Sequence, residues 1–411
     1  MAERRTGIWI IGARGGVACT TIAGLHALQR GLTPATGLVT ALPAFAPLEL
    51  LGWDELIVGG HEIRPTTLRD ELWRLHHDDR LFSAELLEAI EPDLAQTESR
   101  IRPGLVRRPG DAIERLAPDA AETTSPRAVV EHLQRDLSRF IESNDLDSAV
   151  VVNLASTEPV TTEALWHDDL DALQAELDQD SSTVPVSTLQ AFGTLELGLP
   201  FVNFTPSLGA SIPALDQLAA EKGACHAGRD GKTGETLLKS ALAAVFADRN
   251  LEVMSWVGHN IFGNRDGQVL DNPANKAAKV VSKDQALASV LGYAPQTLVS
   301  IEHIESLGDW KTAWDHIHFQ GFLGTPMTLQ FTWQGCDSAL AAPLVLDLVR
   351  LCACSASRGE RGPLRHLSCF FKSPVGSATH RFDHQVAVLK QWLSDVDKEE
   401  HAESQPAFSG E

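Results

Sequence analysis

Basic residues are in short supply in this 411-residue chain: 34 Lys and Arg stand against 55 Asp and Glu, a formal net charge of −21. Such a balance repels a phosphate backbone, which excludes nucleic acid as a general partner, and it obliges an anionic substrate to find a local basic pocket. No cysteine pair has CxxC spacing. Cys19, Cys225, Cys336, Cys352, Cys354 and Cys369 read as reduced thiols of a cytoplasmic protein. No apolar run reaches the roughly 18 residues of a membrane span, and MAERRT leads into a strand without a hydrophobic signal region. The histidines lack zinc-hydrolase spacing, since His76-His77 and His316-x-His318 have neither the i,i+4 separation nor the accompanying glutamate. Internal repeats are missing too. Hydrophobic residues are plentiful at 43%, enough for two packed domains.

Residues 7–11, GIWII, form a short apolar run of the kind that makes a buried parallel strand. Gly12-Ala-Arg14-Gly15-Gly16-Val17-Ala18 follows and opens a helix that stops at Gly31. Strand, glycine turn and helix together are the setting of a dinucleotide site, where glycine allows a tight turn and the helix N-terminus meets the pyrophosphate. Arg14 stands where GxGxxG has its second glycine, so an ordinary βα turn is the competing reading. GLVTAL (37–42) reads as the second strand, with no acid at its end for a ribose. Asp54 is the nearest acidic candidate, or else a helix cap. Residues 66–145 read as a mainly helical excursion. DSAVVVNLAS (147–156) returns to a buried strand whose carboxyl end carries Asn153, Ser156 and Thr157. Open α/β sheets bind ligands there, although turns use the same residues.

LPFVNFTPS (199–207) is a further strand. GRDGKTGET (228–236) is a glycine turn feeding a helix N-terminus, which suits phosphate. It is not a P-loop, because His226 occupies the place of the first glycine. Alternation in LVSIEHIESL and TPMTLQFTW suggests antiparallel strands with one exposed face. SALAAPLVLDLVRLCACSA, interrupted by Asp347 and Arg350, is expected to pack on the first sheet. The fold class expected is α/β. A Rossmann-like doubly wound parallel sheet spans 1–250, an inserted α+β domain 251–333, and a return to the first domain 334–394; a disordered acidic tail covers 395–411.

DNPANKAAKVVSKD (271–284) concentrates Lys276, Lys279 and Lys283 in an acidic chain. On a helix Lys279 and Lys283 share a face, and like charges at that spacing are mildly unfavourable, so an anion against them would offset the repulsion. A solvated basic face is the plainer reading of that stretch alone.

Several segments taken together resemble the inositol-phosphate synthases, which convert glucose 6-phosphate to inositol phosphate with bound NAD. The similarity covers most of the chain. It lies in GWD (52–54), VVNLASTE (151–158), FVNFTPS (201–207), GRDGKTGET (228–236) and HNIFGNRDG (259–267). The most specific matches are KVVSKD (279–284), LGDWKTAWD (307–315), CDSALAAPLVLDL (336–348) and FFKSPVG (370–376). Carried over residue by residue, the resemblance implies active-site lysines at Lys279, Lys283, Lys311 and Lys372, with acids Asp309 and Asp337. It implies cofactor contacts from the glycine turn (Gly12, Arg14, Gly15, Gly16, Val17, Ala18), Asp54, Asn153, Ser156, Thr157 and Asp230. Substrate contacts are implied for Asn203, Gly231, Lys232, Thr233, Asn260, Asn264 and Ser338. Lys276 falls to solvent. The chain departs from the family in three places: Arg229 replaces the first of two adjacent aspartates, the middle glycine of the fingerprint is missing, and the 259–263 turn is altered.

The resemblance implies a redox-neutral sequence: oxidation at C5 with hydride passed to NAD, proton loss at C6, aldol closure on C1, and return of the hydride. Each intermediate carries negative charge on oxygen beside a phosphate, and lysines in a water-excluded pocket stabilise it. A lysine crowded by lysines has a depressed pKa and can move a proton. On this pattern Lys279 exchanges the C5 proton, Lys283 and Lys372 bind phosphate or enolate, and Lys311, oriented by Asp309, polarises a carbonyl. Asp337 would orient a lysine or contact the sugar. A monovalent or divalent cation and a homotetramer, with the small domain's strands as interface, belong to the same expectation. Two other classes stay open: a net sugar-phosphate oxidoreductase, and a silent NAD- or sugar-binding protein. A synthase acting on another hexose phosphate is a variant of the first reading.

Overall fold

The computed structural model describes residues 4–108, 110–159, 164–263, 287–377 and 379–403. A seven-stranded sheet organises the larger part. Its strands are β1 (Thr6–Ile11), β2 (Leu56–Glu62), β3 (Ile101–Pro103), β6 (Ser148–Asn153), β7 (Phe201–Asn203), β8 (Cys225–Gly228) and β13 (Gly362–Pro363). A separate pair is formed by β4 (Leu105–Val106) and β5 (Ala121–Glu122). The order β13-β8-β7-β6-β1-β2-β3 is parallel throughout. From β1 the chain builds outward first to β2 and β3, then crosses to β6, β7 and β8. The reversal between β1 and β6 opens a crevice at the strands' carboxyl ends, where open sheets bind ligands.

Both faces are covered, as an all-parallel sheet requires. Helices α1 (Gly16–Gln29), α2 (Leu68–Arg74) and α3 (Ala84–Glu98) lie on one side with α10 (Asp337–Ser357). On the other are α5 (Pro126–Ser143), α6 (Leu170–Glu176), α7 (Val186–Glu196) and α8 (Pro213–Lys222); α4 (Gly110–Leu116) is peripheral. β1 shows the alternation directly: Ile8 and Ile10 join one core, Trp9 and Ile11 the other.

The smaller sheet runs β10-β9-β11-β12, from β9 (Glu252–Phe262), β10 (Gln296–His303), β11 (Trp310–Gln320) and β12 (Pro326–Cys336). β9, β11 and β12 are antiparallel neighbours, but β10 runs parallel to β9, so the sheet is mixed rather than wholly antiparallel. Its inner face packs Trp256 and Ile317 against Ala243, Ala244 and Phe246 of α9 (Gly234–Asp248).

Two expectations are corrected. Residues 37–42 are not the second strand: Val39–Ala41 and Pro43–Phe45 are 3-10 turns. The buried carboxylate of Asp347, from α10, accepts the backbone N–H groups of Val39 and Thr40 and the Thr40 hydroxyl, which holds that segment out of the sheet. The last helix, α11 (Phe382–Glu403), runs into the expected tail as far as Glu403, with Leu389, Leu393 and Val396 buried at i, i+4, i+7 spacing; residues 404–411 lie outside the described residues. As expected, α10 packs on the sheet: it is long and apolar enough to cross a membrane by length and composition, yet most of it is buried against α1 and the sheet.

Candidate active site

The glycine turn is shaped by close approach. Gly12 has φ +83°, and a side chain there would come 3.0 Å from the Ala155 backbone in the loop after β6. A side chain at Gly16 would meet the Ser338 hydroxyl at 2.9 Å. No side chain caps α1 and its first turn holds no acid, so the N–H groups of Gly16, Val17 and Ala18 face outward with no helical acceptor before them. This cradle fits the pyrophosphate of a dinucleotide, by donor set and by the space the glycines leave. Arg14 turns its guanidinium away to Glu98, while its backbone N–H donates to Glu62 (2.8 Å). A side chain in place of the middle glycine therefore leaves the cradle open, and Arg14 contributes backbone rather than charge.

Asp54 is corrected. It sits in the 3-10 turn Trp53–Glu55, before β2 begins and thus at the amino end of the sheet. The acid at the carboxyl end is Glu62, beside the glycine turn whose Gly12 and Ala13 N–H groups donate to His61 O at 2.9 and 3.0 Å. Burial pushes the Glu62 pKa up, but Arg64 overcomes it with an ion pair and hydrogen bonds, and the net shift is downward. The apolar run LIVGG just before it was the signal in the sequence.

Asn153 and Asn203 end adjacent strands, and both are 1% exposed. Asn153 Nδ2 donates to Asn203 Oδ1 and to Thr205 Oγ1, each at 3.3 Å, and its Oδ1 accepts the Ala155 N–H (3.1 Å). Asn203 Nδ2 donates to Ser207 O (2.7 Å). Their amides are thus spent on holding the loops, which corrects the expectation of direct ligand contact. Ser156 and Thr157 remain half-buried in the loop facing the cradle.

The 228–232 loop follows β8 and is pinned on both sides. Asp230 and Gly231 donate backbone N–H groups to Thr205 O and Phe204 O, and Lys232 N–H donates to Phe370 O (2.7 Å). Only glycine fits at 231, where a Cβ would lie 2.1 Å from the Phe204 ring. Lys372 is brought back onto this loop, its Nζ donating to Asp230 Oδ1 at 2.8 Å. Burial works against its charge, but Asp230, with Asp337 and Glu235 further off, raises its pKa above the usual lysine value. Lys232 is corrected. Its ammonium is buried against α11, donating to Gln385 Oε1 (2.6 Å) and lying 5.5 Å from the Phe382 ring centroid. Burial, with Lys372 nearby, lowers its pKa to about 8. Thr233 is half-buried at the N-cap of α9 with its hydroxyl not used in capping.

The third wall is the inner face of the small sheet. The register places Gly258 opposite Asp315, Asn260 opposite Ala313 and Phe262 opposite Lys311. Asn260 is 1% exposed, and among the described residues neither amide atom has a hydrogen-bond partner. Lys311 Nζ lies 5.5 Å from the Phe262 ring centroid, with no ion pair among the described residues. Asp309 does not orient Lys311, a further correction. Its carboxylate accepts the Cys336 thiol (2.8 Å) and the Ser338 N–H (3.0 Å), and its own N–H donates to Asp79 (2.7 Å). Burial raises the Asp309 pKa. Its other oxygen lies 3.9 Å from where a Gly16 side chain would be, at the mouth of the cradle. Asp337 opens α10 beside it.

Sequence reading missed a buried triad under this wall. Lys239 pairs with Glu235 (2.8 Å) and Asp315 (3.4 Å), and Trp256 Nε1–H donates to Asp315 (2.6 Å). A side chain at Gly258 would crowd both Asp315 and Lys239 Nζ. The i,i+4 Glu–Lys spacing and an acid at an inward strand position were the available signals. Lys276, Lys279, Lys283 and Asn264 lie outside the described residues, so the structure places Lys311 and Lys372 of the four expected lysines.

Among the described residues one group has metal-ligand convergence, His61, His132 and Asp136. His132 Nδ1 accepts from Arg135 (2.6 Å) and its Nε2 donates to Pro103 O (2.8 Å), so the ring is satisfied without an ion.

An NAD-binding family model described as myo-inositol-1-phosphate synthase matches residues 6–394. The chain is 30% identical to inositol-3-phosphate synthase 1 of Bacteroides thetaiotaomicron, over 95% of this chain and 94% of that one. It is 26% identical to inositol-3-phosphate synthase isozyme 1 of Arabidopsis thaliana, over 95% and 80%. The fold matches the crystal structure of inositol-3-phosphate synthase from Caenorhabditis elegans with a TM-score of 0.86, at 23% identity over 96% of this chain and 86% of that one. A myo-inositol-1-phosphate synthase-related protein from Thermotoga maritima gives a TM-score of 0.77, at 22% identity over 95% and 99%.

Proposed function

The chain belongs to the myo-inositol-1-phosphate synthase family, enzymes of the isomerase type, and from that premise we propose that it cyclises glucose 6-phosphate to inositol phosphate with NAD. The observation that carries the reading is the meeting of three walls at one crevice: the glycine cradle, the Asp230–Lys372 loop, and the sheet face bearing Lys311 and Asn260.

NAD held by the glycine cradle of Gly12, Gly15 and Gly16 would supply the hydride acceptor for C5 and the hydride for the final reduction. The chain's own groups do the rest. Lys372, held charged by Asp230, offers a fixed cation to phosphate or enolate oxygen. Lys311, free of an ion pair among the described residues, is available to polarise a carbonyl. Stabilising oxygen charge in such a pocket is the largest lever the protein has. Asn260 gains the partners it lacks when a sugar oxygen reaches it. Lys279 is assigned proton transfer at C5, and Lys283 binding of phosphate or enolate. A pyrophosphate in the cradle would face Asp309, and a monovalent or divalent cation, or the proton that burial favours there, removes the repulsion. Lys239, Glu235 and Asp315 hold the sheet to α9 beneath.

We also assign a homotetramer assembled through the small sheet, supported by the exposed Leu298, Trp310 and Met327 and by the Phe322–Leu323 turn, 89% and 85% exposed. Light scattering tests it, and a monomer in solution refutes it. For the reaction, the protein is incubated with glucose 6-phosphate and NAD, and the product is scored by phosphate release after periodate oxidation. Inositol phosphate formed without net NADH supports the reading. Accumulating NADH with an oxidised sugar overturns it in favour of a net oxidoreductase, and activity of Lys279→Ala within a few-fold of wild type removes Lys279 from proton transfer.

A further inference from the structure

The site holds a cation that the preceding reading does not use. Arg229 follows β8 directly and is half-buried. Burial lowers its pKa, and only the neighbouring Asp230 works against that. Asp230 is itself engaged by Lys372. Among the described residues the Arg229 guanidinium has no hydrogen bond and no ion pair. The contrast with its neighbours is direct: Lys372 has Asp230, Lys232 has Gln385, and Lys239 has Glu235 and Asp315. A desolvated guanidinium without an acceptor is costly, and a fold keeps one where a ligand completes it.

Its backbone leaves little freedom of placement. Arg229 N–H donates to Ser373 O (3.0 Å) and Arg229 O accepts the Ser373 N–H (3.2 Å), locking it beside Lys372. β8 lies three strands from β1, about 14 Å at the usual strand spacing. Arg229 therefore stands well away from the pyrophosphate cradle, on the loop that carries the Lys372 contact. Arg229 also occupies a position where the family pattern has aspartate, so this chain has reversed the sign of the charge there.

We propose that Arg229 is a substrate-binding, specificity-determining residue that takes an anionic oxygen of the sugar phosphate, making this end of the crevice an oxyanion site in partnership with Lys372. The proposal rests on the functional reading above. A guanidinium suits the task because its planar fork of donors stays charged and can hold two oxygens at once.

The test is calorimetric binding to the NAD-loaded protein, with glucose 6-phosphate and inorganic phosphate as probes, for wild type, Arg229→Ala, Arg229→Lys and Arg229→Asp. Arg229→Ala is expected to weaken both probes at least 10-fold, Arg229→Lys to recover part of the loss, and Arg229→Asp to be the worst of the three. NAD affinity stays at the wild-type value, and the thermal midpoint of Arg229→Ala does not fall, since the ligand-free protein loses an unpaired buried charge. Binding by Arg229→Ala within 3-fold of wild type overturns the proposal, as does Arg229→Asp binding as well as wild type. Loss of NAD affinity with probe binding unchanged also overturns it, since the contact would then be to the cofactor, and so does failure of wild type to bind either probe. Because the readout is binding, a wild type that binds glucose 6-phosphate but never cyclises it refutes the catalytic reading while leaving the Arg229 assignment standing.

Discussion

Replacing Lys239 by methionine tests the buried triad beneath the small sheet. Glu235 is 1% exposed and Asp315 is fully buried, and both rely on the same ammonium. Burial alone disfavours charge on Lys239, but Glu235 and Asp315 overcome it and its pKa is raised; burial also raises Asp315, with Lys239 pulling the other way. Removing the cation leaves two carboxylates about 6 Å apart, which repel by about 3 kcal/mol at an effective dielectric of 20. Breaking a buried pair by deleting one partner costs about 3–5 kcal/mol by general experience, so the two routes agree. The assay is urea unfolding followed by tryptophan fluorescence, with Trp256 in the affected layer. Asp315→Asn keeps an acceptor for the Trp256 N–H and removes one charge, so by itself it costs under about 1 kcal/mol. Combined with Lys239→Met it restores about 2–3 kcal/mol, the repulsion removed. A Lys239→Met variant within about 1 kcal/mol of wild type, or a double variant no more stable than Lys239→Met, refutes the reasoning.

Gly12→Ala forces a left-handed backbone on a β-carbon pressed against Ala155, and is expected to weaken NAD binding at least about 10-fold by fluorescence titration, a cost of about 1.4 kcal/mol or more. Lys311→Ala and Lys372→Ala each lower cyclisation by about 100-fold or more with NAD binding retained; turnover near wild type for either removes it from the mechanism. Lys232→Met, by contrast, keeps turnover within about 10-fold, since its ammonium faces α11, and it changes the pH dependence of stability. The folded pKa of Lys232 is lowered to about 8, so the unfolded chain holds the proton more tightly. The cost of burying the charge is therefore complete below pH 8 and fades as the pH rises toward 10.5. Wild type should gain stability over that window relative to Lys232→Met, by at most about 3 kcal/mol; parallel pH profiles count against the assignment.

Local signals were readable where local physics decides. GIWII followed by a glycine turn became β1, the cradle and α1, because a parallel strand and a helix N-terminus need no distant partner to be recognised. The lysine pattern was legible through residues far apart in sequence, and the fold sets Lys372 against Asp230 on the loop after β8, with Asp337 and Glu235 near enough to act on its charge. Failures came where a remote group decides. VTA looked like a strand until Asp347, some 300 residues later, bound its N–H groups. Asn153 and Asn203 carried the right chemistry for ligand contact, yet their amides bond each other and the loops that follow the two strands. Asp309 was paired with Lys311 on the resemblance, but it precedes β11, and its carboxylate is taken up by the Cys336 thiol and the Ser338 N–H. The stretch from 395 looked solvated, although α11 runs on to Glu403 with Leu389, Leu393 and Val396 buried at helical spacing.

One junction described above sets how precisely the reacting groups can be held. β12 becomes α10 with no loop between them: Cys336 closes the strand, Asp337 opens the helix, and the next residue, Ser338, lies against the glycine cradle. β12 also carries Gly335 directly opposite Lys311. The distance from the cofactor's seat to the lysine-bearing strand is therefore spanned by a few covalent bonds and one ladder of backbone hydrogen bonds. There is no hinge in that path to relax. On the proposed function, the cofactor's seat and the lysine-bearing strand therefore belong to one continuous piece, and a distortion at either is felt at both.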